Sequence, residues 1–188
     1  MRLVSRGGRS FSLEGLTKQD FKWKNAEGKP GLNPNFAPQR YIMVWLDPEV
    51  AAELASHGIL IRETEDTHNK LGIRPWIKFI IKPKVGVNFT TGKEEFQPVV
   101  VKITPSMKTV LDSEKQLGNI DSSLIESADI AFHYYGGPGQ QYPSLYLDRM
   151  WFTTADSVGT GYADLDAKYG IDPSDPVGDE PESEVPFK

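Results

Sequence analysis

The 188 residues include no cysteine, which excludes disulfides, thiolate nucleophiles and Cys-based metal centres. Histidine is scarce: His57, His68 and His133 are the only three, and none stands at metal-ligand spacing from another. No apolar run approaches the roughly 18 residues that span a bilayer. The start, Met1-Arg-Leu-Val-Ser-Arg-Gly-Gly-Arg9, is basic but carries no apolar core segment, so it does not read as a secretory signal. These absences predict a soluble protein of the cell interior with no membrane partner.

Catalytic signatures are missing as well. There is no Gly-x-Ser-x-Gly elbow. Gly86 to Lys93 superficially suggests a phosphate loop, but it has five residues between its glycines where four are required, and Glu94 replaces the Ser/Thr. Gly136-Gly-Pro-Gly139 lies between two predicted strands and reads as a hairpin loop. The pairs Glu65-Asp66 and Glu94-Glu95 fall in polar stretches where solvation explains them. The expectation is a protein without catalytic residues, cofactor or metal.

Hydrophobic residues make up 38% and charged residues 25%, with a net charge of −5; this suits one soluble domain with a real core. A uniform negative charge would argue against nucleic acid. The charge is not uniform. From Gly161 onward there are eight acids and two bases, which leaves 19 bases and 18 acids in residues 1–160. The first forty residues hold eight bases and three acids. The body is near neutral, its front is basic, and its end is acidic.

Five strands are predicted from β-branched and aromatic runs: Tyr41–Leu46, Trp76–Lys82, Val99–Ile103, Asp129–Tyr135 and Leu145–Phe152. Asp47-Pro48 reads as an N-cap with Pro at the first helical position, and Gly58 as the stop of that helix. Residues 59–62 suggest a short strand, 63–74 and 84–97 polar loops, and 110–127 a turn plus helix capped by Asp121. Residues 1–40 read as a basic, aromatic arm around one short piece, Phe21-Lys22-Trp23-Lys24, that extends a groove or makes homo-oligomer contacts. Residues 157–188 are too polar and too rich in Pro, Asp and Glu to offset an ordering entropy of roughly 1–2 kcal/mol per residue, so a disordered tail is expected. The predicted class is mainly β: an OB-like five-stranded barrel over 41–156 with one or two short helices.

The constellation with a mechanism is aromatics interleaved with bases. Lys22, Trp23 and Lys24 alternate. Trp76, Lys78 and Lys82 share a strand face opposite Ile77, Phe79 and Ile81. Lys102 and Lys108 flank the end of the third strand, His133 and Tyr135 share a face of the fourth, and Arg149 neighbours Trp151. Single-stranded nucleic acid is held this way, by bases stacked on rings and phosphates tracked by cations. The alternative is that the aromatics are core and the lysines solvated; Trp45 is of this ambiguous kind, because both faces of its strand are apolar. A protein-binding module or phage structural component on the same small β-scaffold, and more remotely a nucleotide-processing enzyme, are the rival functions.

The last residues, Glu182-Ser-Glu184-Val185-Pro186-Phe187-Lys188, resemble the acidic tip of bacterial single-stranded-DNA-binding proteins, although Lys188 follows the phenylalanine with which that tip normally ends. The resemblance implies a flexible tether presenting Phe187 to replication or recombination proteins. A wider likeness accompanies it over about residues 21–155. Tyr41-Ile-Met-Val-Trp-Leu-Asp-Pro-Glu49, Arg74-Pro-Trp-Ile-Lys-Phe79, Pro98-Val-Val-Val-Lys-Ile-Thr104, Lys108-Thr-Val-Leu-Asp112 and Ser144-Leu-Tyr-Leu-Asp-Arg-Met-Trp-Phe-Thr153 resemble a family of bacteriophage single-stranded-DNA-binding proteins with an OB fold. In that pattern Arg74, Trp76, Lys78, Lys108 and Tyr135 stand where basic or aromatic residues belong. His133 replaces a commoner arginine, and Asp148 a commoner lysine. The resemblance implies a role in phage DNA replication or recombination, in the cytoplasm of the infected cell.

Overall fold

The computed structural model describes residues 1–31, 38–87, 92, 94–136 and 141–154. Twelve strands and three short helices follow one another as β1 (Arg2–Gly7), β2 (Ser10–Thr17), β3 (Phe21–Asn25), β4 (Arg40–Trp45), α1 (Pro48–Ser56), β5 (Arg62–Glu65), β6 (Ile73–Ile81), β7 (Lys84–Val87), β8 (Glu94–Gln97), β9 (Val99–Ile103), β10 (Lys108–Leu111), α2 (Glu114–Leu117), α3 (Asn119–Ser122), β11 (Ile125–Tyr135) and β12 (Ser144–Thr154). The architecture is mainly β and OB-like. One sheet runs β1-β2-β11-β12-β6-β4-β3, with β9 and β10 continuing from β12 and β5 from β6, while β7 and β8 form a separate hairpin.

The five strands read from sequence are β4, β6, β9, β11 and β12. Alternation decides their faces: Ile42 and Val44 of β4, Ile77, Phe79 and Ile81 of β6, and Ile130 and Phe132 of β11 are buried together. Tyr41, Met43, Trp45, Trp76, Lys78 and Ile80 point to the other face. Helix α1 begins with Pro48 as predicted and closes the core with Val50, Ala51 and Leu54. Asp47 occupies the N-cap without a side-chain cap bond. Its carboxylate instead accepts from the Met1 ammonium at 3.2 Å.

Residues 1–25 are not an arm. β1 and β2 form a hairpin, and β2 pairs with β11 along most of its length. Phe11, Leu13 and Leu16 are fully or almost fully buried. Burying such a side chain is worth about 1.5–3 kcal/mol, which is what binds this segment to the body. The frequent glycines and arginines conceal it in the sequence. Gly15, at φ +73, supplies a left-handed turn inside β2 and donates its N–H to Asp129 Oδ1 at 2.8 Å.

Other expectations shift. The polar stretches contain β5 and the β7–β8 hairpin, and Ile59 is a buried loop residue outside any strand. Residues 110–127 form the end of β10 and two single-turn helices, whose Leu117 and Ile120 are buried. Asp121 is not an N-cap. It lies within α3 and accepts from the backbone N–H groups of Ala26 and Glu27 at 2.7 and 2.9 Å, pinning the turn after β3. The tail beyond residue 154, including Glu182, Glu184, Val185, Pro186 and Phe187, lies outside the described residues.

Candidate nucleic-acid interface

The outer face of β3, β4 and β6 gathers three tryptophans. β4 and β6 are antiparallel with Trp45 opposite Trp76, so the two indoles share one face at cross-strand distance. A bulge between Phe21 and Trp23 breaks strict alternation in β3. Phe21 packs against the core, while Lys22 reaches Trp45 and Trp23 stands 61% exposed beside Met43.

Cations cover these rings. Lys22 Nζ lies 3.9 Å from the centroid of Trp45 and 5.4 Å from that of Trp76. The guanidinium of Arg62 is 5.6 Å from Trp76, and that of Arg74 is 5.5 Å from Trp45. Lys78 Nζ is 5.6 Å from Tyr41. Burial pushes the ammonium groups of Lys22 and Lys78 below the ordinary lysine range. For Lys78 the nearby Arg62 charge adds to that shift, and for Lys22 the Asp66 carboxylate partly offsets it.

Trp76 is more enclosed than its strand face suggested, at 8% exposed. Its indole Nε1–H is buried without an acceptor among the described residues. Arg74 is also held below the face: it bridges Asp66 at 3.1 Å and Asp20 at 3.3 Å. Burial opposes ionisation of Asp66, yet bonds from the Asn69 backbone and side chain and from Arg74 outweigh it and hold the carboxyl below its ordinary value. Arg74 is therefore committed to two carboxylates beside the Trp45 ring.

A second cluster lies across the sheet. β12 runs parallel to β6 with Tyr146 opposite Ile80, so the face continues from the tryptophans to Tyr146. His133 stacks on Tyr146 with centroids 5.4 Å apart, and Lys82 Nζ sits 4.6 Å from the Tyr146 ring. His133 Nδ1 is 2.7 Å from Asp148 Oδ1. Lys84, Tyr135, Arg149 and the segment from Gln97 to Val99 line the same cavity, of about 520 Å³. The register of β11 against β12 skips Asp148. That extra residue turns Arg149 and Trp151 to the same face as Tyr146; uninterrupted alternation would have buried them.

The predicted residues thus divide. Lys22, Trp23, Trp76, Lys78, Lys82, His133, Tyr135, Arg149 and Trp151 fall on one outer surface. Lys24 does not: its Nζ donates to the Ser123 carbonyl at 2.6 Å, on the far side of β3. Lys102 pairs in register with Phe152 and so shares the face of that buried ring, away from Trp151. Lys108, opposite Ile103, lies at the far end of the β9–β10 ribbon. Tyr41, Arg62 and Tyr146 were missed, and Trp45 was ambiguous between core and face. For Tyr146 the signal existed, since it alternates with the apolar Leu145 and Leu147. No group of three or more His, Asp or Glu able to hold a metal occurs among the described residues.

An OB-like β protein with one cation-covered aromatic face is the class these features define. No protein-family model and no curated protein matches the sequence. Among solved structures, the chain is similar to the single-stranded DNA-binding protein from bacteriophage Enc34 in complex with ssDNA, at a TM-score of 0.45 and 8% identity over 83% of this chain and 97% of that one. It is also similar to the C-terminal truncation of that protein, at 0.46 and 9% over 83% and 97% of the two chains. For a further structure of the Enc34 protein the values are 0.45 and 8% over 90% and 99%.

Proposed function

We propose that this chain binds single-stranded DNA, with little overall sequence preference, along the outer face of β3, β4, β6 and β12. The observation that carries the reading is that Tyr41, Trp45, Trp76 and Tyr146 each have a basic side chain over the ring. A bound strand supplies bases for the rings and phosphates for the ammonium groups, so each displaced cation finds a new partner. Base stacking on such rings is worth about 1–3 kcal/mol per base. The orphaned Trp76 Nε1–H adds a reason to open: a buried unmade hydrogen bond costs about 1–3 kcal/mol, and a ligand oxygen entering beside Lys22 relieves it.

The sequence resemblances extend this reading to a phage-encoded protein that coats single strands during replication or recombination in the infected cell. Glu182 and Glu184 repel DNA from the tail, while Val185, Pro186 and Phe187 anchor a partner enzyme. Titrating oligo(dT) while following tryptophan fluorescence tests the core of the proposal. Quenching at low salt is expected, with log Kd rising against log salt at about 0.7 per phosphate neutralised. Absence of quenching, with a form truncated at Gly170 equally inert, would overturn it. Tighter DNA binding by the truncated form supports the role of the tail; unchanged affinity removes it.

A further inference from the structure

The cavity beside Tyr146 differs in kind from the tryptophan face, and the difference is chemical. The face offers rings, cations and neutral acceptors such as Thr64 and Gln39, its carboxylates Asp20 and Asp66 being buried. The cavity also contains a carboxylate, Asp148, among Lys82, Lys84 and Arg149. A carboxylate beside a phosphate track weakens binding, so its presence there calls for a donor. One of its oxygens is taken by His133 at 2.7 Å. The other, Oδ2, has no hydrogen bond among the described residues, and the Asp148 side chain is 41% exposed. A carboxylate accepts readily from the exocyclic amino group of a base, the N4 amine of cytosine above all.

The remaining walls suit the other parts of a nucleotide. Tyr146 and His133 form a stacked pair 5.4 Å apart, a ready surface for a further ring. Tyr135, 54% exposed, stands two residues beyond His133 on the same face of β11. Lys84 and Arg149 make no ion pair among the described residues, which leaves them available to a phosphate. The volume, about 520 Å³, falls within the roughly 300–1,000 Å³ of small-ligand sites. The cavity is also on the path of the strand. Four residues of β6, about 13 Å, separate Trp76 from Ile80, the register partner of Tyr146.

We propose that this cavity captures one nucleotide of the bound strand and prefers a base bearing an exocyclic amino group, cytosine above thymine. The base lies against the Tyr146–His133 pair, its amine donates to Asp148 Oδ2, and Lys84 and Arg149 take the adjoining phosphate. The proposal rests on the single-strand reading above. It adds to it that one position of the strand is read by hydrogen bonding while the others are held by stacking and charge.

The test uses the full chain and the shortest oligo(dT) that binds at full affinity, so that only one register fits. An abasic site and then a single dC are walked through this probe, and Kd is read by tryptophan quenching. One position is expected where the abasic lesion weakens binding about tenfold, as loss of a stacked base should. At that same position dC is expected to strengthen binding about tenfold or more, for one charge-assisted bond. Tyr146→Ala should flatten the abasic walk, and Asp148→Ala should remove the dC preference while oligo(dT) still binds. Walks that are flat in the wild-type protein, or an abasic-sensitive position that does not distinguish dC from dT, would overturn the capture site and leave single-strand binding intact. Failure of every probe to bind at low salt would overturn both.

Discussion

Lys22 Nζ lies 3.9 Å from the centroid of the Trp45 ring and donates to Thr64 Oγ1 at 2.8 Å. The ammonium sits on an indole that is only 3% exposed, so a base reaches that ring only after the lysine has left it. Binding is therefore an exchange, in which the ammonium leaves the ring for a phosphate and a base takes its place. For Lys22→Ala the expected outcome is weaker binding at low salt and a salt slope reduced by about 0.7, one phosphate contact. An unchanged slope in a salt titration would place Lys22 off the path of the strand.

Trp23 separates stacking from folding. Its side chain is 61% exposed, so Trp23→Ala should leave stability within about 0.5 kcal/mol. If the ring stacks on a base, the substitution weakens DNA binding by about 1–3 kcal/mol. Chemical denaturation and oligo(dT) titration of the same variant give both numbers.

Binding should weaken at alkaline pH earlier than ordinary lysines allow. Burial lowers the folded-state values of Lys22 and Lys78 beneath the usual value of about 10.4. A phosphate favours their charged forms, so complex formation takes up protons in the range where the free protein has begun to lose them. Kd is expected to rise with pH below about 10.4, and the double variant with Arg at both positions, charged throughout, should flatten that rise. Equal pH profiles for the two proteins would refute the assignment.

Asp66 ties stability to acid pH. Its folded-state value is lowered, so its contribution is present above the unfolded value of about 3.9 and is lost as pH falls through the lower folded one. Asp66→Ala leaves Arg74, 14% exposed, with Asp20 as its remaining carboxylate partner, and should cost about 1–3 kcal/mol. Urea melts at neutral and acid pH measure both effects; the variant should lose the part of the acid dependence that Asp66 supplies.

Leu13→Ala tests whether the first strands belong to the body. Leu13 is wholly buried, and removing a core leucine costs about 2–5 kcal/mol. A true arm would tolerate the change, with the melting midpoint unmoved.

The parts legible in the sequence are those whose period is unbroken. β6 alternates, so its core face and the opposite side taken by Lys78 followed directly, and Asp47-Pro48 marked α1. Where a bulge intervenes, alternation misleads. Strict alternation in β3 puts Lys22 and Lys24 on one face; the bulge after Phe21 instead sends Lys22 to the tryptophans and Lys24 to the Ser123 carbonyl. Trp45 was ambiguous because apolar residues occupy both faces of β4, and what covers its outer face are cations from three other segments: Lys22, Arg62 and Arg74 around the Trp45–Trp76 pair. β1 and β2 were illegible for a different reason. Their partner β11 is remote in sequence, and no local pattern announces a remote partner.

That remoteness has a consequence for synthesis. Gly15 and Asp129, joined by a hydrogen bond, are 114 residues apart. At about 5–20 residues per second, the ribosome needs roughly 6–23 s to deliver β11 after β2 has been made. Throughout that interval Phe11, Leu13 and Leu16 have only the hairpin strand β1 beside them, and sheets joined by such distant pairings also close slowly once complete. In the nascent chain these apolar side chains thus stand uncovered between Arg6, Arg9 and Lys18 until β11 arrives.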